Sequence, residues 1–197
     1  MRLPEIQLRL PDWVDAFFQN RNAVFTTLED RMGLAVELAG WNVERQTGGP
    51  FGAAVFERES GRLISVGVNL VERQNCSAAH AEIVALSIAQ HSLQTYDLGG
   101  PGLCPHELVT STEPCAMCLG AIPWSGVQRL VCGARDEDAR AIGFDEGHKP
   151  ADWVAALEQR GITVVRDVLR QEARAVLESY RQTGGPIYNA RANRSGQ

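Results

Sequence analysis

Cys115 and Cys118 stand three positions apart in the stretch TEPCAMCLG, residues 112–120. A Cys-x-x-Cys serves as a redox dithiol, as half of a zinc ribbon, or as part of a catalytic metal site. A helix expected to open at Pro114, a residue favoured at the first helical position, puts both sulfurs in its first turn and on one face. The free N–H groups and positive dipole end there favour thiolate. That suits a dication and a redox dithiol alike. A zinc ribbon wants a second Cys-x-x-Cys, and the chain has none. A thioredoxin-like dithiol usually follows a strand near the N-terminus, whereas this pair lies past mid-chain.

A third ligand is available in AAHAEIVAL, residues 78–86, where His80 and Glu82 fall near the start of another expected helix. Helices that start at one sheet edge bring their N-termini together. His80, Cys115 and Cys118 would then give three protein ligands and one open position, the pattern of a catalytic zinc site and not of a closed structural one. Zinc with two thiolates and a neutral imidazole is formally neutral, so it acidifies water less than an all-histidine site. A carboxylate nearby is useful to take the water's proton and hand it on. Glu82 lies two residues from His80, within reach of the open position without being forced to coordinate.

The elements that must position these groups can be followed along the chain. LEDRMGLAVELAGWNVERQ (28–46) has helical spacing through Leu28, Met32, Leu34, Ala35, Leu38 and Trp41. FGAAVFER and GRLISVGVNLV predict two strands around Glu59-Ser60-Gly61. Residues 78–92 predict a helix, ELVTSTE a strand, QRLVCGAR a strand, DWVAALEQRG a helix, ITVVRD a strand and LRQEARAVLESYRQ a last helix. Strands alternating with helices imply a largely parallel sheet covered on both faces. RQTGGP occurs at 45–50 and again at 181–186, each time after an expected helix, and is taken as two helix stops and not as a duplication. Residues 1–27 are expected to drape over the surface, 28–182 to form the catalytic domain and 183–197 to form a tail.

The 197 residues suit one ordinary domain, 44% hydrophobic and 22% charged. The net charge of -5 argues against a broad basic face for nucleic acid. No apolar run approaches a membrane span, and the N-terminus lacks an uninterrupted apolar core, so a cytoplasmic protein is expected. Five cysteines in such a chain do not suggest a disulfide scaffold. Cys104 and Cys132 are expected to be inert, and His91, His106 and His148 to lie at the surface.

His80-Ala81-Glu82 together with Pro114-Cys115-Ala116-Met117-Cys118 match the known H-x-E…P-C-x-x-C signature of zinc-dependent nucleobase deaminases. From about residue 28 to 170 the chain resembles the cytidine deaminase-like superfamily. Within it, GGPFGAAV (48–55), AAHAEI (78–83), EPCAMCLGAIPWSG (113–126), AIGFDEG (141–147) and GGPIYNAR (184–191) resemble the bacterial guanine deaminases. One departure is CSAAH at 76–80, where many relatives have Pro-Thr before Ala-His. The resemblance implies a three-layer α/β/α sandwich around a central, mixed, mostly parallel five-stranded sheet. It implies one Zn2+ per chain held by His80, Cys115 and Cys118, with Glu82 shuttling protons. It further implies substrate contacts from Asn69, Glu146, the backbone of Ala81 and Cys115, aromatic walls from Phe51 and Trp124, and Tyr188 in a closing tail. The activity implied is hydrolytic deamination of guanine to xanthine and ammonia by zinc-activated water, with ammeline as a second substrate. A homodimer is implied, with a purine or triazine as partner and no nucleic acid or membrane.

Each of these residues has a plainer reading. Asp145 and Glu146 taken alone would be a solvated loop, Asn69 a turn residue, and Phe51 and Trp124 core. Two other functions stay open on the sequence. A deaminase of another base, nucleoside or tRNA adenosine shares HAEI and EPCAMC, although tRNA deaminases are usually basic and GFDEG is not part of their pattern. A zinc-stabilised binding module without turnover has no need of an acidic residue at Glu82.

Overall fold

The computed structural model describes residues 6–19, 21 and 23–190. Helices α1 (Trp13–Phe18) and α2 (Leu28–Glu44) precede a hairpin of β1 (Gly52–Glu57) and β2 (Leu63–Val68). There follow α3 (Val71–Gln74), α4 (Ala81–Ser92), β3 (His106–Thr112), α5 (Ala116–Ser125) and β4 (Arg129–Ala134). The chain ends with α6 (Asp136–Ala141), α7 (Trp153–Glu158), β5 (Thr163–Val165) and α8 (Arg170–Gln182). The strands form one sheet in the order β2-β1-β3-β4-β5. It is mixed: β1 runs antiparallel to β2 and to β3, while β3, β4 and β5 are parallel.

Period-two alternation sends successive strand residues to opposite faces. Ala54, Phe56, Val109 and Val131 join Met32 and Leu38 of α2 in one core. Val55, Leu108, Leu130 and Cys132 join Ala85 of α4, Ile122 of α5 and Leu157 of α7 in the other. Helix α8 packs beside α2. Both sheet faces are therefore covered, which is why every residue of β3 is buried.

Helix α2 starts where its chemistry directs. Thr27 accepts from the Asp30 N–H, and the Asp30 carboxylate accepts from the Thr27 N–H, a capping box.

The N-terminal segment differs from expectation. Residues 13–18 form α1, which buries Val14 and Phe17, and Trp13 stacks on Trp41 with ring centroids 5.9 Å apart. The pairing of aromatic groups on α1 and α2 makes this segment part of the core and not a drape. His106 also differs: it is buried in the central strand β3, with Nδ1 2.8 Å from the Leu98 carbonyl. No helix among the described residues is long and apolar enough to cross a membrane.

Two antiparallel steps, β2 to β1 and β1 to β3, leave β2 running the same way as β3 and β4. Whatever follows these three strands emerges at one edge of the sheet. The start of α4 follows β2, the start of α5 follows β3, and the segment past α6 follows β4.

Candidate active site

His80 is the N-cap residue of α4 and Cys115 that of α5. Helix α5 thus begins two residues later than expected, with Pro114 ahead of the cap. Neither cap side chain bonds its own helix's N–H groups, which leaves both ligand atoms free to face each other. Cys118 lies in the first turn of α5, fully buried. The ligand atoms of His80, Cys115 and Cys118 all lie within 4.8 Å of one another. His80 Nδ1 is 3.5 Å from Cys115 Sγ. A tetrahedral zinc with the usual Zn–S and Zn–N lengths separates N from S by about 3.6 Å. The donors stand at the spacing that ion needs, and their chemistry is that of a zinc site.

The electrostatics point the same way. The Cys118 thiol donates to Cys115 and, with His80, holds the Cys115 thiol low, at about 4. The same bond, with burial, pushes Cys118 far up. Burial raises Glu82, and the Cys115 charge adds to it. Burial raises Glu146 to about 8, helped by the charges of Cys115 and Glu82. Burial opposes protonation of His80, but its bond to Cys115 and the charges of Glu82, Cys115 and Glu146 outweigh that. Anionic groups crowded into a buried space repel, and a dication among them reverses the sign of their interaction.

Beside the ligands lies a cavity of about 230 Å³ walled by His80, Glu82, Cys115, Glu146, Phe51 and Tyr188, among others. Glu82 and Glu146 are each 6% exposed, so Glu146 is no solvated loop residue. Phe51 meets Phe144 edge-on at 4.9 Å, and Phe144 lies 5.0 Å from Tyr188, which makes an aromatic wall. The Tyr188 hydroxyl fits because position 49 is glycine: a Cβ there would stand 2.2 Å from that oxygen.

Residues 26–134 match the family model described as the cytidine and deoxycytidylate deaminase zinc-binding region. The chain belongs to that deaminase family. It is a zinc-dependent hydrolase. The solved guanine deaminase from Nitrosomonas europaea is 51% identical, superposes with a TM-score of 0.85, and is covered over 97% of its length by 90% of this chain. A structure of NE0047 in complex with 2,6-diaminopurine is 53% identical, with a TM-score of 0.86, over 94% of this chain and 97% of that one. The guanine deaminase of Bacillus subtilis is 41% identical over 112 residues, 57% of this chain and 67% of its own.

Three residues expected at the substrate are not among those that wall this cavity. Trp124 is 84% exposed and does not wall the cavity. It follows Cys115 by nine residues along α5, a rise of about 13 Å, which carries it away from the helix end that holds the metal ligands. Asn69 is buried at the end of β2, and its Oδ1 accepts from the Val71 N–H at 3.3 Å. It supports Val71, which does line the cavity. Ala81 is the buried first residue of α4, also off the cavity wall.

Phe144 and Thr112 also wall the cavity, although neither was among the expected site residues. Phe144 sits within GFDEG, and hydrophobicity beside two acids could have pointed to it. Thr112 is buried and Tyr188 half-buried, and both place buried hydroxyls without a partner among the described residues at the cavity wall. Buried hydroxyls without partners are costly, and a polar ligand would satisfy them. Asn189 accepts from the Asp145 N–H and donates to the Gly143 carbonyl, both at 2.9 Å, so the tail is tied to the loop that carries Glu146.

Proposed function

We propose that this deaminase converts guanine to xanthine and ammonia, taking up one water per turn. The observation that carries the reading is Glu146, a buried carboxyl on the cavity wall beside Glu82 and the His80, Cys115 and Cys118 cluster. The likeness to guanine deaminases over nearly the whole chain supports it.

His80, Cys115 and Cys118 would hold one zinc, which supplies Lewis acidity at its open position when bound. The chain's own groups do the rest. Glu82 accepts the proton of the attacking water as it adds to C2 and delivers it to ring N3. A second proton then passes through Glu82 to the amine, which leaves as ammonia as the C2 carbonyl forms. Glu146 accepts from N1–H and from the C2 amine and so fixes the ring. Burial does most to raise the Glu146 carboxyl, and a cation at the ligand cluster would offset the part that the Cys115 charge adds. Phe51, Phe144 and Tyr188 would lie along the ring, and residues 183–190 would cap it.

Hydrogen-bond polarity sets the selectivity. Guanine presents C6=O, N1–H and amine in order, and ammeline presents the same order on a triazine. Cytosine and adenine put an unprotonated ring nitrogen beside the amine. An ionised Glu146 accepts only, so it would face a lone pair in those rings, a mismatch that supports large discrimination. An ammonia-release panel is expected to rank guanine first and ammeline second, with adenine and cytosine hardly turned over. Glu146→Gln is expected to lower guanine kcat/KM by about 10² or more, since hydrogen bonds to charged groups are the stronger ones. Adenine or cytosine turnover comparable to guanine would overturn the assignment.

A homodimer and a cytoplasmic location belong to the same proposal. Met117 and Trp124 leave an exposed apolar face on α5 that a second copy would cover. Light scattering at micromolar concentration is expected to give twice the chain mass, and a monomer mass would refute the dimer.

A further inference from the structure

The segment that carries Glu146 lies between α6 and α7 and contains neither helix nor strand. An irregular loop ordinarily owes little precision to its own backbone, yet this one must hold a carboxyl beside a metal cluster. The Glu146 carbonyl accepts from the Ala116 N–H at 2.9 Å, which ties the loop to the start of α5.

A second tie comes from a buried cation. The Lys149 side chain is 7% exposed, whereas loop lysines are normally solvated. Its Nζ donates to the Pro114 carbonyl at 2.9 Å and lies 2.6 Å from the Asp136 carboxylate. Pro114 immediately precedes the ligand Cys115. Asp136 opens α6, and its own N–H donates to the Glu113 carboxylate at 3.1 Å, which pairs with Arg166. One ammonium thus joins the turn that presents Cys115, the start of α6 and the loop that presents Glu146. Arg140 steadies the same loop from the outside, donating to the Gly147 carbonyl at 2.6 Å. Lys149 itself does not wall the substrate cavity.

We propose that Lys149 is a positioning residue for the deamination, holding Glu146 in register with the ligand cluster by locking its loop to Pro114 and Asp136. This rests on the reading that Glu146 pairs with the substrate. Lys149→Met keeps the length of the side chain and removes its charge and donors. The variant is expected to retain zinc, because His80, Cys115 and Cys118 are presented by their own helices. Guanine kcat/KM is expected to fall about 10²-fold, the usual cost of misplacing a group by about 1 Å. Lys149→Arg, which keeps charge and donors, is expected to recover most of that loss.

Hydrogen exchange supplies a readout independent of turnover. In Lys149→Met the amides of 143–148 are expected to exchange at least about tenfold faster, while those of α2 and α8 stay as in the wild type. A merely structural role would instead lower the melting temperature, speed exchange throughout, and leave kcat/KM intact below the transition. Should Lys149→Met fail to fold, Asp136→Asn weakens the same anchor and is expected to show the same two effects in smaller measure. Wild-type exchange over 143–148, or kcat/KM within threefold of wild type, would overturn the proposal. A wild-type enzyme that releases no ammonia from guanine would sink the proposed substrate, while the exchange result would still decide the role of Lys149.

Discussion

Glu82→Gln is expected to keep zinc and fold and to lose at least about 10² to 10⁴ in kcat, the range that general acid–base catalysis supplies. Glu82 lies in the first turn of α4, 6% exposed, on the cavity wall and two residues from His80. The amide is nearly isosteric, so the cavity keeps its shape. It cannot accept the proton of the attacking water, and in the proposed sequence this one residue handles more than one transfer. The loss should therefore lie at the upper end of the range. Stability should not fall with activity. Burial already raises the Glu82 carboxyl, and a neutral amide is less costly to bury than a carboxylate. Metal analysis, a melting curve and single-turnover ammonia release on one preparation separate these statements. A folded, zinc-loaded variant within a few fold of wild type would remove Glu82 from the chemistry.

Cys118→Ala is expected to abolish both zinc binding and turnover. The cluster offers three protein donors, and a catalytic zinc site needs them all while keeping one position open. With Cys118 gone, His80 and Cys115 make only a pair. Cys115 also loses the hydrogen bond that does most to hold its thiol low, so the remaining sulfur becomes a poorer ligand. The wild type should show the linked effect: a strong chelator is expected to lower its melting temperature and activity together, and added zinc to restore both, because an ion that binds only the folded chain stabilises it. Full zinc content in purified Cys118→Ala would refute the ligand set.

The zinc centre was legible in the sequence because its geometry is largely local. Cys115 and Cys118 share one face by helical spacing alone, and His80 and Glu82 fall in a second helix start with its own motif. The alternation of expected strands with expected helices along the chain was enough to imply a sheet with two covered faces. Helix α1 was not legible, because its few residues mix charge with aromatics and the groups they pack against, Trp41 of α2 among them, lie far along the chain. The same holds for Arg31, Glu107 and Arg129, which pair in the interior although nothing in their neighbourhoods distinguishes them from surface charges.

Glu146 and Trp124 show the division most clearly. Both were chosen by resemblance. The direction of β4 and the bonds from Ala116 and Lys149 bring Glu146 to the cavity, while nine residues of rise along α5 carry Trp124 away from it. Spacing within one element fixes which side chains share a face. Which faces then meet depends on strand direction and on buried polar contacts between segments far apart in the chain, and those exist only once the sheet has formed.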